Sequence, residues 1–127
     1  MLYNQLAMEF ESIIPVLYSD DISRSIAYYK DVLGFDGEWI WDEQPTFGGI
    51  GNGPVRIFFC QGAQGHPGTW ICINIDNLDE YYEQIKAKGA IILSPPEDKS
   101  WFMREMLVKD PDGHIIRFGH GIECPED

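Results

Sequence analysis

Positive charge is scarce in this chain: 9 Lys and Arg stand against 21 Asp and Glu, for a net charge of −12. So acidic a surface repels nucleic acid and anionic membranes and attracts cations, so neither nucleic acid nor membrane is expected as a partner. Long apolar runs are missing too, and none approaches the roughly 20 residues that span a bilayer. The opening "MLYNQLAMEFES" has neither the basic region nor the apolar stretch of a secretory signal. Cysteine is sparse and unpaired: Cys60, Cys72 and Cys124 are odd in number and form no CxxC, which excludes a disulfide framework and fits reduced thiols in a cytoplasm. What is present is a core, with 44% hydrophobic and 13% aromatic residues over 127 positions. That length suits one domain, residues 1–127, burying roughly two thirds of its chain surface.

Two stretches share one plan: "IIPVLYSDDISRSIAYYKDVLGF" and "TWICINIDNLDEYYEQIKAKGAI". Each opens with a β-rich run, reaches an Asp, continues at helical period and stops at a Gly, with 13 residues from Asp21 to Gly34 and again from Asp76 to Gly89. Ile22, Ile26, Tyr29 and Leu33 share one face of the first helix, and Leu78, Tyr82 and Ile85 one face of the second. Asp21 suits the N-cap and Gly34 the left-handed position past the C-terminus. Strand-like segments follow each helix: "EWIWD", "TFGGI" and "VRIFFC", then "AIILS", "REMLV" and "HIIRFG", with "GNGP" and "DPDG" as tight turns. Each half therefore reads β-α-β-β-β, joined by a loop over residues 61–68.

That doubled plan, with "IPVLYSDDISRSIAYYKDVLGF" at the front and "REMLVKDPDGHIIRFGHG" at the back, resembles the vicinal oxygen chelate superfamily of glyoxalase I, extradiol dioxygenases and bleomycin-resistance proteins. The resemblance covers about residues 13–121. It implies an α+β fold of two tandem βαβββ modules, about 13–62 and 69–121. By the same resemblance their curved mixed sheets would form a cleft, with helices on the convex side, usually within a homodimer. Residues 1–12 are then either an arm crossing to the partner or a frayed tail.

Metal-dependent members of the superfamily place one His, Glu or Gln on each of four strands. Carried over position by position, the resemblance puts Ile14, Phe58, Trp70 and Arg117 there. None of these side chains donates to a divalent cation, and Arg117 repels one. His114 and His120 have the opposite strand parity from Arg117 and lie about 20 Å apart along an extended strand, so they read as surface or strand-end residues. His66 reads as a loop residue. No metal and no cofactor is therefore expected.

Alternation places Val16 and Tyr18 beside Ile14, and Cys72 and Asn74 beside Trp70. It sends Leu17, Ile57, Phe59, Ile71, Ile73 and Ile75 to the core. Trp39 and Trp41 share a strand face, Phe47 follows them, and Trp101 falls in the Pro-rich loop "PPEDKSWFMREM". An aromatic, aliphatic hollow of this kind suits a flat organic ligand. The resemblance is nearest to bleomycin-resistance proteins, small acidic dimers that sequester a drug without turnover. It points to Trp39, Phe47, Trp70 and Trp101 as ligand-binding residues; Phe58 and Arg117, at the former metal-ligand positions, join them in the expected cleft, with no catalytic residue. Net charge favours a cationic ligand. Arg117 is either neutralised by a carboxylate such as Glu105 or recognises an anionic ligand. Three alternatives stand beside this: a metal-dependent lyase, isomerase or dioxygenase with a non-standard ligand set, a metal-free enzyme using Cys60, Cys72 or Glu105, and a protein whose dimer interface is its only function.

Overall fold

The computed structural model describes residues 8–41 and 46–123. Cys124 and most of the N-terminal segment lie outside these residues. The chain runs β1 (Val16–Tyr18), α1 (Ile22–Ala27, continued by a wider π turn over Tyr28–Val32), β2 (Asp36–Ile40), β3 (Phe47–Asn52) and β4 (Val55–Cys60). It repeats as β5 (Trp70–Asn74), α2 (Leu78–Ala87), β6 (Ile91–Asp98), β7 (Met103–Lys109) and β8 (Ile115–Gly121). Two four-stranded sheets result, ordered β1-β4-β3-β2 and β5-β8-β7-β6. In each, the first strand lies parallel to the last and the other pairings are antiparallel. This is the doubled βαβββ plan, an α+β fold. No helix among the described residues is long and apolar enough to cross a membrane.

Local chemistry explains the element ends. Asp21 is extended and its carboxylate accepts from the Arg24 amide at 3.1 Å, satisfying one free donor of the first helical turn. Gly34 and Gly89 close the two helices at φ +83° and +93°, a region costly for any residue with a Cβ. The Tyr28 carbonyl takes its bond from the Leu33 amide at 3.1 Å, five residues on, and this widened turn keeps Tyr29 and Leu33 both in the core.

Two expectations about strands change. β2 begins at Asp36 and ends before Trp41, with a register shift between Asp36 and Trp39. β6 runs on to Asp98, so Pro95 and Pro96 lie in a strand and the loop carrying Trp101 shrinks to the turn before Met103. Proline survives there because β6 is the outer strand of its sheet and its register shifts between Ser94 and Glu97, so no ladder bond needs the missing N–H.

One continuous core joins the halves. Leu17, Ile22, Tyr29, Ile57 and Phe59 of the first belong to the same cluster as Leu78, Ile85, Met106, Ile116 and Phe118 of the second. Ile71, Ile73 and Ile75 pack against that cluster but remain partly exposed. Val55 and Ile57 of β4 and Ile71 and Ile73 of β5 line one apolar seam, so the helix-bearing face of each sheet is turned toward the other half. The opposite sheet faces are left uncovered.

The "DPDGH" turn fastens the halves. Asp110 Oδ1 accepts from the amides of Asp112 and His114 at 2.9 Å each, and Oδ2 accepts from the Tyr29 hydroxyl at 2.7 Å. Burial holds the Asp110 carboxyl above its ordinary range, against the pull of these donors. Arg24 and Ser25 of α1 both donate to Asp112. Tyr28 donates to the Lys109 carbonyl at 2.7 Å and accepts from the Ile91 amide at 3.1 Å. His114 stands at a strand end as expected but is fully buried rather than on the surface. Its Nδ1 accepts from the Thr69 amide at 3.0 Å and Nε2–H donates to the Tyr18 carbonyl at 2.7 Å, so both ring nitrogens are engaged and the neutral ring fits. His114→Ala removes both bonds and empties a buried space, so urea unfolding should show a loss of about 3 kcal/mol. Asp110→Asn, which keeps an acceptor at a place that disfavours the charge, should cost clearly less than Asp110→Ala in the same assay.

Candidate functional site

On the uncovered face of the first sheet, three rings meet. Trp39 lies 5.4 Å from Phe47 and 5.3 Å from Phe58 by ring centroids, and Phe47 lies 5.5 Å from Phe58, all tilted or edge-on. Strand register explains the meeting: Trp39 and Phe58 both pair with Gly49, one from each side. Gly49 is required there, because a Cβ would sit 2.7 Å from the Trp39 ring nitrogen and 2.9 Å from its neighbouring ring carbon. The Trp39 ring thus lies across β3 at backbone height. Trp39 keeps 39% of its surface exposed, and Trp41, just past the strand, keeps 60%. Gly51, two residues on, continues the bare strip between Asp36 and Arg56. Asp36 and Arg56 were not legible as site residues, since only the Asp36/Trp39 register shift sets Asp36 opposite Gly51.

The second sheet presents Trp70, Cys72 and Arg117 on its uncovered face, with Trp70 60% exposed. Register sets Cys72 rather than Trp70 opposite Arg117, while Trp70 faces Ile115. Leu107 flanks Arg117 on the other side, an apolar neighbour that strand alternation in "REMLV" points to. Glu105 is the pivot. It is 4% exposed, its Oε1 accepts from the Trp101 indole N–H at 3.2 Å, and its Oε2 lies 3.3 Å from Arg117 Nε. Of the two readings of Arg117, the ion pair with Glu105 is the one present. The guanidinium is held charged above its ordinary range first by the Cys72 thiol beside it and then by Glu105. The turn bearing Trp101 includes Phe102 at φ +63°, an uncommon conformation for a bulky side chain. Trp101 is 57% exposed, so its ring is tethered at the nitrogen and open on its faces.

The site residues therefore form two groups. Trp39, Phe47 and Phe58 come together on one face; Trp101 and Arg117 join through Glu105 on the other, with Trp70 on the same sheet face. The halves share a core through their helix-bearing faces, so one chain does not close the two groups into a single cleft.

The residues present do not fit the divalent cation that some relatives of this fold hold. Phe58 and Trp70 have no donor atom, Arg117 is a cation, and both Glu105 oxygens are already engaged. Among the described residues no three His, Cys, Asp or Glu side chains cluster as ligands.

Two substitutions test this geometry. Gly49→Ala should push the Trp39 ring off the sheet, changing its fluorescence emission and costing about 1–3 kcal/mol of stability. Glu105→Leu should shift the Trp101 indole N–H resonance toward that of a water-exposed indole, while Glu105→Gln, which retains an acceptor, should leave it near its native position.

A family model for the Glyoxalase/Bleomycin resistance protein/Dioxygenase superfamily matches residues 11–118. Bleomycin resistance proteins of Geobacillus stearothermophilus and Staphylococcus aureus are each 33% identical to this chain over 127 aligned positions, covering 83% of it and 92% of the relative. Among solved structures, TioX from Micromonospora sp. ML1 superposes with a TM-score of 0.76 at 22% identity, covering 89% of this chain and 100% of that one. The bleomycin-binding protein from bleomycin-producing Streptomyces verticillus, solved with copper(II)-bleomycin, superposes with a TM-score of 0.72 at 22% identity, covering 88% and 97%. These two likenesses concern the fold; the family match and the 33% identity establish kinship. The chain belongs to the glyoxalase/bleomycin resistance protein/dioxygenase superfamily.

Proposed function

We propose that this protein is a binding protein of the bleomycin-resistance type, which sequesters a flat aromatic ligand without metal and without turnover. The observation that carries the reading is the three-ring cluster of Trp39, Phe47 and Phe58 on an uncovered sheet face. Rings of this kind stack a planar heteroaromatic group and attract a cation over their faces, about 0.5–2 kcal/mol for each good cation–π contact. A net charge of −12 would raise the encounter rate with a cationic ligand.

The reading includes a second copy of the chain. One domain spans residues 1–127 as two modules, about 13–62 and 69–121, and two copies about a twofold axis set the first-half face of each against the second-half face of the other. Two equivalent grooves follow, each with Trp39, Phe47 and Phe58 from one subunit and Trp70, Trp101 and Arg117 from its partner. Within the segment 1–12, Met8 and Phe10 support an arm: they are 88% and 101% exposed, and such side chains favour cover from elsewhere. Arg117, paired with Glu105, then positions Trp101 instead of meeting an anion. The surroundings of such a sequestering protein would be the cytoplasm.

Metal-free bleomycin added to the protein should quench tryptophan emission at micromolar drug, with one site per subunit and weaker binding as salt rises. Trp39→Ala and Trp101→Ala should each weaken binding about tenfold or more. Light scattering should give twice the chain mass. Unchanged emission at micromolar drug would count decisively against a bleomycin-like ligand.

A further inference from the structure

Beyond the three rings the first sheet holds a hollow of ≈ 190 Å³ lined by Asp36, Trp39, Gly51, Arg56 and Phe58 among others. Between the two charged residues its floor is backbone, since the β3 residue there is Gly51, which has no side chain to fill it. Gly51 pairs with Asp36 on one side and Arg56 on the other, so the two charged residues face each other across the bare strand. Two strand spacings put their Cα atoms about 10 Å apart.

Neither charge is spent on an ion pair among the described residues. The chain has four arginines; Arg24 pairs with Asp112, Arg104 with Asp79 and Asp98, and Arg117 with Glu105. Arg56 makes no ion pair among the described residues, although Asp36 stands on the same face, and both are exposed. A separated pair of opposite charges over a peptide floor suits one kind of guest. A carboxylate would meet Asp36, and an ammonium would meet Arg56. A neutral planar group with an acceptor at one end and a donor at the other satisfies both, through hydrogen bonds of about 2.9 Å strengthened by the charges.

We infer that this hollow is a subsite for a primary carboxamide attached to the aromatic ligand, with Arg56 donating to its carbonyl oxygen and Asp36 accepting from its nitrogen. The inference rests on the reading that the Trp39, Phe47 and Phe58 rings take a flat ligand, because Trp39 and Phe58 wall both the ring cluster and the hollow. Arg56 and Phe58 are alternate residues of β4, so the carboxamide lies about 7 Å along the strand from the ring contact. The subsite selects among aromatic ligands, which three rings alone do poorly.

Three probes of one shape test it on the full chain: naphthalene-2-carboxamide, 2-acetylnaphthalene, whose methyl replaces the amide nitrogen, and 2-naphthoate. Amide shifts of isotopically labelled protein give both affinity and place. The carboxamide should bind about tenfold more tightly than the ketone and the acid and should move the Gly51 and Gly53 amides along with the Trp39 indole. Arg56→Met, at an exposed position, should erase that preference while ketone binding persists. Equal binding of carboxamide and ketone, or tightest binding of naphthoate, overturns the subsite while leaving the aromatic reading intact. If no probe moves the Trp39 indole, the aromatic reading falls and the subsite with it. The shift map of the unsubstituted protein decides the matter by itself should Arg56→Met fold poorly.

Discussion

Burial of one face of each sheet in a common core is the constraint from which the site follows. Both helices lie within that core, Ile22, Ile26, Tyr29 and Leu33 from one and Leu78 and Ile85 from the other, so each half satisfies its apolar stripe against the other half as well as its own strands. Strand alternation then fixes what remains outside. Every strand that sends Ile57, Phe59, Ile116 or Phe118 inward must present the residue between them outward, and those residues are Phe58 and Arg117. Exposed aromatics here are the other side of the packing.

The clasp between halves is polar where the rest of the core is apolar. Asp110, Asp112 and His114, in five consecutive residues, hold three hydroxyl or guanidinium groups of α1 and two backbone sites of the first strands' neighbourhood. No buried side-chain nitrogen or oxygen among the described residues is left without a partner. A network of this kind is costly when incomplete and directional when complete, so it specifies how the halves dock where a purely apolar contact would tolerate sliding. The π turn of α1 belongs to the same arrangement, since it aims Tyr28 and Tyr29 at adjacent points of the second half.

Much of this was legible in the residues. The equal spacing from Asp21 to Gly34 and from Asp76 to Gly89 announced the duplication, and alternation in "VRIFFC" and "HIIRFG" separated core from open face. What escaped has physical causes. Pro95 and Pro96 disguised a strand as a loop, because proline's local preference says nothing of a strand's place at the sheet border. His114 looked peripheral because strand parity cannot report that the first half covers that end of the sheet. Asp36 and Arg56 escaped because their juxtaposition depends on one irregularity in register and on Gly51 between them, a pattern without any sequence period. Glu105 was visible as a partner for Arg117, but its grip on Trp101 depends on the turn at Phe102.

The borders of the two sheets carry one more consequence. β2 is kinked between Asp36 and Trp39, and β6 carries two imino acids and two register slips along its rim. A rim so interrupted offers no straight ladder of free amides for a foreign strand to zip onto. Those two rims can therefore lie beside broad greasy surfaces while resisting ribbon-like growth into fibrils.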